Sequence, residues 1–523
     1  MRKGRENMKL QNVPSIRTLL DTAPQRFGDR TFIKYRRGEE TVEKSYAAVR
    51  ADSLAFCRKI RHISENRMHI AIISKSCYEY IVCLTGCLIS GNVAVPVAPE
   101  TTAEDAAAIL NDADVTFVLY ESAFCEKMKT VKRLCPGVRF TMDLGDAADF
   151  EEICRTYGED GPYAALSEVR ADPAACALII YISGTTGDKK GVMLSQEALV
   201  ANTMFTPHGG VLTRAVTQPD TVLSVLPLYH IFCFTTDYLG PLKNGYTMCL
   251  NGDMRDLFQN LLLYKPNTMR IVPMIAQALL ARIRAVAAQH PELPPKQAAA
   301  LVTGGNLDLM FSGGAYLDPA LARGFEAFGI FLRQGYGMSE AGCKITVPDE
   351  DTAVESVGRV MDIVDVRIRG GEIQVDTPCR MLGYYKRVPD TAAAFTPDGW
   401  LRTGDIGYLT EDRQLFVTGR VKNLIILSNG ENVSPEGIEK RYQAYPLVKE
   451  VRVYAEKDTI AAEVYPDFDY AAAQGVTDIA AALEKITDEL NVTAQPSHTV
   501  ARVVLRNTPL EKTSTGKIRR NIA

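Results

Sequence analysis

The chain has 523 residues, more than one hydrophobic core usually serves, so two or more domains are expected. With 46% hydrophobic and 23% charged residues it has the balance of a soluble globular protein, and a net charge of -4 argues against a nucleic-acid binder that relies on bulk electrostatics. The basic start, MRKGREN, has no apolar stretch behind it, and the most apolar window, Tyr80–Val97, is broken by Gly86, Gly91 and Pro96, so neither a secretory signal nor an integral membrane segment is expected.

From Met68 onward, short apolar runs alternate with amphipathic segments. MHIAII predicts a strand, Cys77–Ser90 a helix, VAVPV a strand, Thr102–Asp112 a helix and VTFVLY a strand. Ala177–Ile182 predicts a buried strand, and the same texture returns at Thr221–Leu226, Thr268–Pro273, Leu309–Ser312 and Ile330–Arg333. Strands alternating with helices indicate parallel, doubly wound sheets. Around Val364–Val375 the pair DVRIRG and GEIQV predicts a β-rich subdomain. Beyond Gly419–Lys422, strands are expected at Leu424–Leu427, Lys449–Tyr454 and Ile460–Tyr465, with helices at Pro435–Ala444 and Asp478–Leu490. The expected fold class is α/β: a large N-terminal core of doubly wound sheets plus the β-rich subdomain (residues 1–421), then a small α+β C-terminal domain (422–523).

The twelve cysteines include no C-x-x-C pair, and none lies beyond Cys379. Cys83, Cys87 and Cys249 sit in apolar runs, where a free thiol behaves as a small hydrophobe, and a reducing cytoplasm fits this usage best. The six histidines are scattered, which disfavours a Cys/His metal site.

The most informative stretch is Tyr181–Leu194, YISGTTGDKKGVML. A buried strand feeds a loop of Ser183, Gly184, Thr185, Thr186 and Gly187, followed by Lys189 and Lys190. Glycines let backbone N–H groups approach an anion, the hydroxyls add neutral donors, and the lysines add positive charge. That is the chemistry of holding polyphosphate, although the spacing differs from the common triphosphate loop G-x-x-x-x-G-K-[ST]. Gln334–Glu340, QGYGMSE, exposes the Tyr336 ring at a strand end and offers Glu340 as a cation ligand. WLRTGD places Asp405 after a tight turn, where a carboxylate can accept hydrogen bonds from ribose hydroxyls; Arg420 in GRVKN could reach the same sugar or a phosphate. The basic tail PLEKTSTGKIRR presents Lys517 behind a Thr-Gly turn. Each motif follows an expected strand or lies at the domain junction, where open α/β sheets bind ligands.

Together, and in this order, YISGTTGDKKGVML, PLYHIF, SGGAYLDP, QGYGMSE, GYYKRVPDTAAAF, WLRTGD, GRVKNLIILSNGENVSPEGIE and TSTGKIRR resemble the adenylate-forming superfamily, over nearly the whole chain. Acyl-CoA synthetases, peptide-synthetase adenylation domains and firefly luciferase are its members. The resemblance implies that the core binds ATP and acid while a mobile C-terminal lid closes over them. It implies that Ser183–Lys190 wraps the β and γ phosphates, that Gly313, Gly314 and Ala315 wall the adenine, and that Tyr336 stacks on it. Ser339 and Glu340 would lie near the α phosphate and Mg²⁺, Asp405 and Arg420 would hold the ribose, and Lys517 would bridge acid and phosphate. Lys422 matches the hinge. Lys189 stands where the family uses proline, and Ile182 where it uses a hydroxyl residue.

His230, in PLYHIF, matches a position beside the substrate carboxylate. Ile231 stands where amino-acid-activating relatives carry aspartate, and Asp237 is a weak substitute, so an α-amino acid is disfavoured. Gly337 matches a tryptophan of acetate-restricted relatives and is read as leaving the pocket open. Gly335, Phe232, Phe234, Met274 and Met338 would line it, which implies a medium or long fatty acid, or an aryl acid. The implied reaction is formation of acyl-AMP and pyrophosphate, then acyl transfer to the thiol of CoA. The alternative acceptor is the phosphopantetheine arm of a separate acyl carrier protein, and a catalytically silent acyl-nucleotide sensor is a lesser alternative.

Overall fold

Valine and isoleucine are concentrated in HIAII, VAVPV and CALIIYIS, runs that become strands, since β-branched side chains suit a pleated surface covered on both faces. The protein, seen in a computed structural model, is described for residues 14–145, 147–165, 171–183, 189–204, 221–427, 432–456, 459–511, 518 and 520. The first strands are β1 (Thr31–Arg37), β2 (Glu40–Ser45), β3 (His69–Ile73), β4 (Val93–Val97), β5 (Phe117–Tyr120) and β6 (Phe140–Asp143). Next come β7 (Cys176–Ser183), β8 (Lys189–Ser195), β9 (Thr221–Ser224) and β10 (Thr247–Leu250). They are followed by β11 (Thr268–Ile271), β12 (Leu309–Ser312) and β13 (Phe331–Gln334).

These strands form two seven-stranded sheets. One runs β13-β12-β11-β9-β10-β1-β2, parallel except at the β1–β2 edge. The other runs from strand Gly383–Tyr384 through β8, β7, β4, β3 and β5 to β6, antiparallel only where Gly383–Tyr384, β8 and β7 pair. Helices cross between parallel neighbours, and local chemistry sets their starts. The Thr102 side chain accepts from Asp105 N at 3.1 Å and so caps helix Ala103–Asp112.

Leu223, Met269, Ile271, Met310 and Leu332 of the first sheet pack against Leu279 and Ile283 of helix Pro273–Gln289 and Val302 of helix Pro295–Thr303. Each such side chain contributes about 1.5–3 kcal/mol by leaving water. Alternation along β11 then turns Thr268 and Arg270 to the opposite face. There Arg270 stands in register between Ser224 of β9 and Phe311 of β12.

The chain divides into two compact units. The first comprises Met1–Val366, Val375–Leu401 and Glu411–Gln414; the second comprises Arg367–Gln374, Arg402–Thr410 and Leu415–Ala523. The second unit reaches back past residue 422 because strands Leu401–Leu409 and Leu415–Arg420 pair as one hairpin. Its remaining core is a three-stranded sheet of Val448–Glu456, Thr459–Pro466 and Val500–Leu505, covered by helices Pro435–Gln443 and Ile479–Val492. All twelve cysteines are free thiols, buried or half-buried. Among the described residues no helix is long and apolar enough to cross a membrane.

Candidate active site

Four parallel strands of the first sheet, β9, β11, β12 and β13, deliver the motif residues from their carboxyl ends, where the crevice of an open α/β sheet opens. β12 runs into Gly313, Gly314 and Ala315, and β13 into Gly335 and Tyr336. The Gly335 N–H donates to the Ser312 carbonyl at 2.9 Å, tying the two loops together. The Gln334 side chain completes the clamp: its Nε2 donates to the Ala315 carbonyl and its Oε1 accepts from Leu317 N–H, both at 3.0 Å. An amide at a strand end carries no distinctive pattern, so the sequence does not mark Gln334 as this clamp. Gly313 packs closely on a neighbour, since a Cβ there would lie 3.1 Å from the Phe232 ring. The adenine-wall candidate and the pocket candidate therefore touch.

Beyond Tyr336 the chain forms a tight hairpin of β14 (Gly337–Met338) and β15 (Cys343–Lys344), with a single 3-10 turn, Ser339–Ala341, between them. That turn carries Glu340 inward to 7% exposure. Its Oε1 accepts from the Tyr384 hydroxyl at 2.8 Å. Strand Gly383–Tyr384 pairs with β8 at Met193 and Val192, which sets the tyrosine beside Lys190. The Lys190 ammonium lies 5.3 Å from the Tyr384 ring centroid and pairs with Asp390. Lys189 pairs with Asp105 at 3.4 Å. Burial, with the Glu340 charge beside it, pushes the Tyr384 hydroxyl pKa far up, so it stays a donor. The flank of the phosphate-loop candidate and the cation-ligand candidate are thus joined through one tyrosine. Tyr384 lies inside the quoted GYYKRVPDTAAAF string, but nothing local marks it as a partner of Glu340.

Two pocket expectations are corrected. Gly337 does not report pocket size, because a Cβ there would meet the Cys343 carbonyl oxygen at 1.8 Å; the hairpin itself demands glycine. Phe234 does not line a pocket either. It is 2% exposed and stacks on Tyr238, with centroids 5.7 Å apart. It opens a π-helical segment, Phe234–Leu239, whose i→i+5 spacing no apolar periodicity reveals. Phe232, Gly335 and Met338 remain partly accessible, and Met274 is 69% exposed just beyond β11. His230, exposed, precedes the short helix Ile231–Cys233 with its ring centroid 4.7 Å from that of Tyr229. Desolvation by the surrounding groups holds its pKa below the usual histidine value, with Glu100 pulling the other way, so the neutral imidazole is favoured.

In the second unit, Asp405 lies inside strand Leu401–Leu409 rather than after a tight turn: Asp405 and the residues that follow it, through Leu409, pair with Leu415–Arg420. Arg420 is its direct cross-strand partner, and their side chains meet at 2.7 Å. The two ribose candidates therefore form one ion pair with a buried carboxylate and a half-exposed guanidinium. Lys422 sits in the 3-10 turn Val421–Asn423 immediately after that strand. Gly184, Thr185, Thr186, Gly187 and Lys517 lie outside the described residues, as does the Ser183 side chain at the end of β7.

Comparison with known proteins bears on this arrangement. The AMP-binding enzyme family matches residues 20–385, and the AMP-binding enzyme C-terminal domain matches residues 422–523. A long-chain-fatty-acid–CoA ligase of Mycobacterium bovis is 27% identical over 429 residues, spanning 73% of this chain and 70% of its own. A sulfoacetate–CoA ligase of Cupriavidus necator is 34% identical over 294 residues, spanning 53% of this chain and 54% of its own. Among solved structures, an anthranilate CoA ligase in complex with anthranoyl-AMP superposes with a TM-score of 0.80 at 18% identity, covering 98% of this chain and 97% of that one.

Proposed function

The chain belongs to the AMP-binding enzyme family and is an AMP-forming acid–CoA ligase of the acyl-CoA synthetase type; from that premise we propose how its residues divide the work. It activates a carboxylic acid to acyl-AMP at the expense of ATP, with Mg²⁺, and passes the acyl group to CoA. An oxygen of the acid attacks the α phosphorus, and the bond to the bridging oxygen breaks as pyrophosphate leaves. The CoA sulfur then attacks the acyl carbon, and AMP leaves with the electron pair of the mixed anhydride.

Ser183–Lys190 cradles the β and γ phosphates, with Lys189 and Lys190 supplying charge. Gly313–Ala315 and Tyr336 hold the adenine, and Asp405 and Arg420 hold the ribose. His230, favoured as the neutral imidazole, can accept or donate one hydrogen bond at the acid carboxylate. Lys517 bridges acid and α phosphate, and Lys422 is the hinge. The observation that carries this reading is the connected set Lys190–Tyr384–Glu340, which links phosphate-loop flank and carboxylate within one unit. Mg²⁺ usually keeps several waters and takes one or two carboxylates plus substrate phosphates, so a single buried Glu340 beside Ser339 suits it. Among the described residues no cluster of three or more His, Cys, Asp or Glu side chains competes. Held there, Mg²⁺ supplies neutralisation of the phosphate charge. Free, buried thiols fit a reducing cytoplasm.

Acid-dependent exchange of labelled pyrophosphate into ATP tests the first half-reaction. It should appear with at least one carboxylic acid, and its absence across fatty, aryl and short polar acids would defeat the assignment. Acyl transfer to CoA should outpace transfer to a holo acyl carrier protein; the reverse order would move the acceptor. Tyr384→Phe should cost about 1.5–2 kcal/mol in denaturant unfolding, because a buried carboxylate loses its donor. If Glu340 holds the cation, added MgATP should shrink that loss, whereas a purely structural bond would leave it unchanged.

A further inference from the structure

The core unit carries more buried positive charge beside the crevice than an apolar acyl pocket requires. Arg270, on the β11 face turned away from the aliphatic core, is 9% exposed. Its Nε lies 3.6 Å from Asp237 Oδ1, and its guanidinium sits 5.5 Å from the Phe311 ring centroid. Its Nη1 is buried without a hydrogen-bond partner, and so is Asp237 Oδ2. Lys344 of β15 joins the same group. Burial first, and then the charges of Arg270 and Lys243, push its ammonium down to about 8. Lys344 is half-buried.

The carboxylates do not balance these cations. Lys243 spends its ammonium on the Thr203 and Met204 carbonyls, at 3.3 and 2.8 Å. Among the described residues no ion pair forms at Lys344, and Asp237 is the one carboxylate paired with Arg270. Asp237 is itself pushed up to about 6, by burial against the pull of Arg270. A structural Arg270–Asp237 pair accounts for one cation. It leaves Arg270 Nη1 unused and Lys344 unmatched, and an unpaired buried charge costs several kcal/mol.

The place of the cluster says what would complete it. Phe311 leads directly into Ser312 and Gly313, and the Phe232 ring closes on Gly313. Lys344 pairs with Gly337 at the start of the Glu340 hairpin. The cations therefore sit on the strand beside the one that leads into the glycine wall and on the return strand of the Glu340 hairpin. A long alkyl chain led to this spot would be buried against two cations.

Resting on the acyl-CoA synthetase reading, we propose that the acid substrate is short and carries a second anionic group, a carboxylate or a sulfonate, which binds Arg270 and Lys344 while the first carboxylate is activated.

Pyrophosphate exchange with matched acids tests this on the full chain: butanoate against butanedioate, propanoate against 3-sulfopropanoate, with dodecanoate and benzoate as apolar controls. The dianionic member should win by about tenfold or more in kcat/KM, since a site with buried donors rejects the analogue that leaves them unpaired. The winning pair tells carboxylate from sulfonate. Lys344→Met should raise KM for the preferred dianion about 30-fold, leave KM for ATP unchanged, and narrow the gap to butanoate. Its thermal stability should hold or rise, since a lone buried cation is removed. A thermal shift with the dianion alone, without ATP, should appear in the wild type and vanish in Lys344→Met. Dodecanoate or benzoate outperforming every dianion would overturn the proposal and leave the ligase reading intact. Exchange with no acid at all would overturn the ligase reading, and the thermal shift would then decide for or against the anion site by itself.

Discussion

Lys517→Ala should slow acyl-adenylate formation by about 10²–10³-fold, the range seen when one donor aimed at developing charge is removed. The first half-reaction brings a carboxylate anion up to a polyanion, and only cations directed at the α phosphate and the attacking oxygen relieve that repulsion. One ammonium at 4 Å from a phosphate oxygen is worth roughly 4 kcal/mol at an effective dielectric of 20, comparable to the expected loss. Lys189 and Lys190 cannot substitute, because the proposal commits both to the β and γ phosphates rather than to the α phosphate and the attacking oxygen. Thioester formation from supplied acyl-adenylate should proceed at close to the wild-type rate, because the second step displaces AMP and asks nothing of a lysine bridging acid and phosphate. Rapid-quench measurement of the two half-reactions separately reads both quantities. An equal loss in both would assign Lys517 to folding or general binding instead.

Gly337→Ala should be the most damaging single-atom change near the site. The added Cβ would sit 1.8 Å from the Cys343 carbonyl oxygen and 2.8 Å from its carbon, and both are backbone atoms that cannot swing aside. The return strand is already constrained, with Cys343 itself at φ 120°. Relief requires opening the hairpin, which would also unseat Glu340 from Tyr384. A stability loss of about 3 kcal/mol is expected, at the upper end for overpacking. Gly335→Ala, two residues earlier, finds its nearest atom at 3.8 Å and should fall within about 1 kcal/mol of wild type. Denaturant midpoints of the two variants make the comparison direct. Similar midpoints would mean that the hairpin gives way and that glycine at 337 serves the pocket after all.

The α/β alternation was legible because strands such as VAVPV and Leu309–Ser312 declare themselves within a few residues, through short apolar runs bounded by turn residues. Helix Ala103–Asp112 likewise announces its start with a capping threonine. The glycines, hydroxyls and acids that follow strands were visible in the sequence as turn residues, and only the resemblance attached roles to them. What misled was inferring side-chain destination from residue type. Phe234 looked like pocket lining and is core, because a π-helical segment breaks the spacing by which an apolar face is recognised. Gly337 looked like vacated space and is a steric necessity of the hairpin.

The sequence alone determined that this chain alternates strands and helices, that it carries a glycine-and-hydroxyl loop, and that an aromatic and then an acid follow a strand end in QGYGMSE. These are properties of neighbours along the chain, governed by torsional preference and local hydrogen bonding. Strand order decided the rest. Lys190 meets Asp390 across 200 positions of sequence, and Tyr384 reaches Glu340 across 44. Arg270 acquires Asp237 and Lys344 as company only because β11 lies between β9 and β12 with its charged face turned toward the π-helical segment. Charge balance in a core depends on which elements pack together, and no local pattern records that.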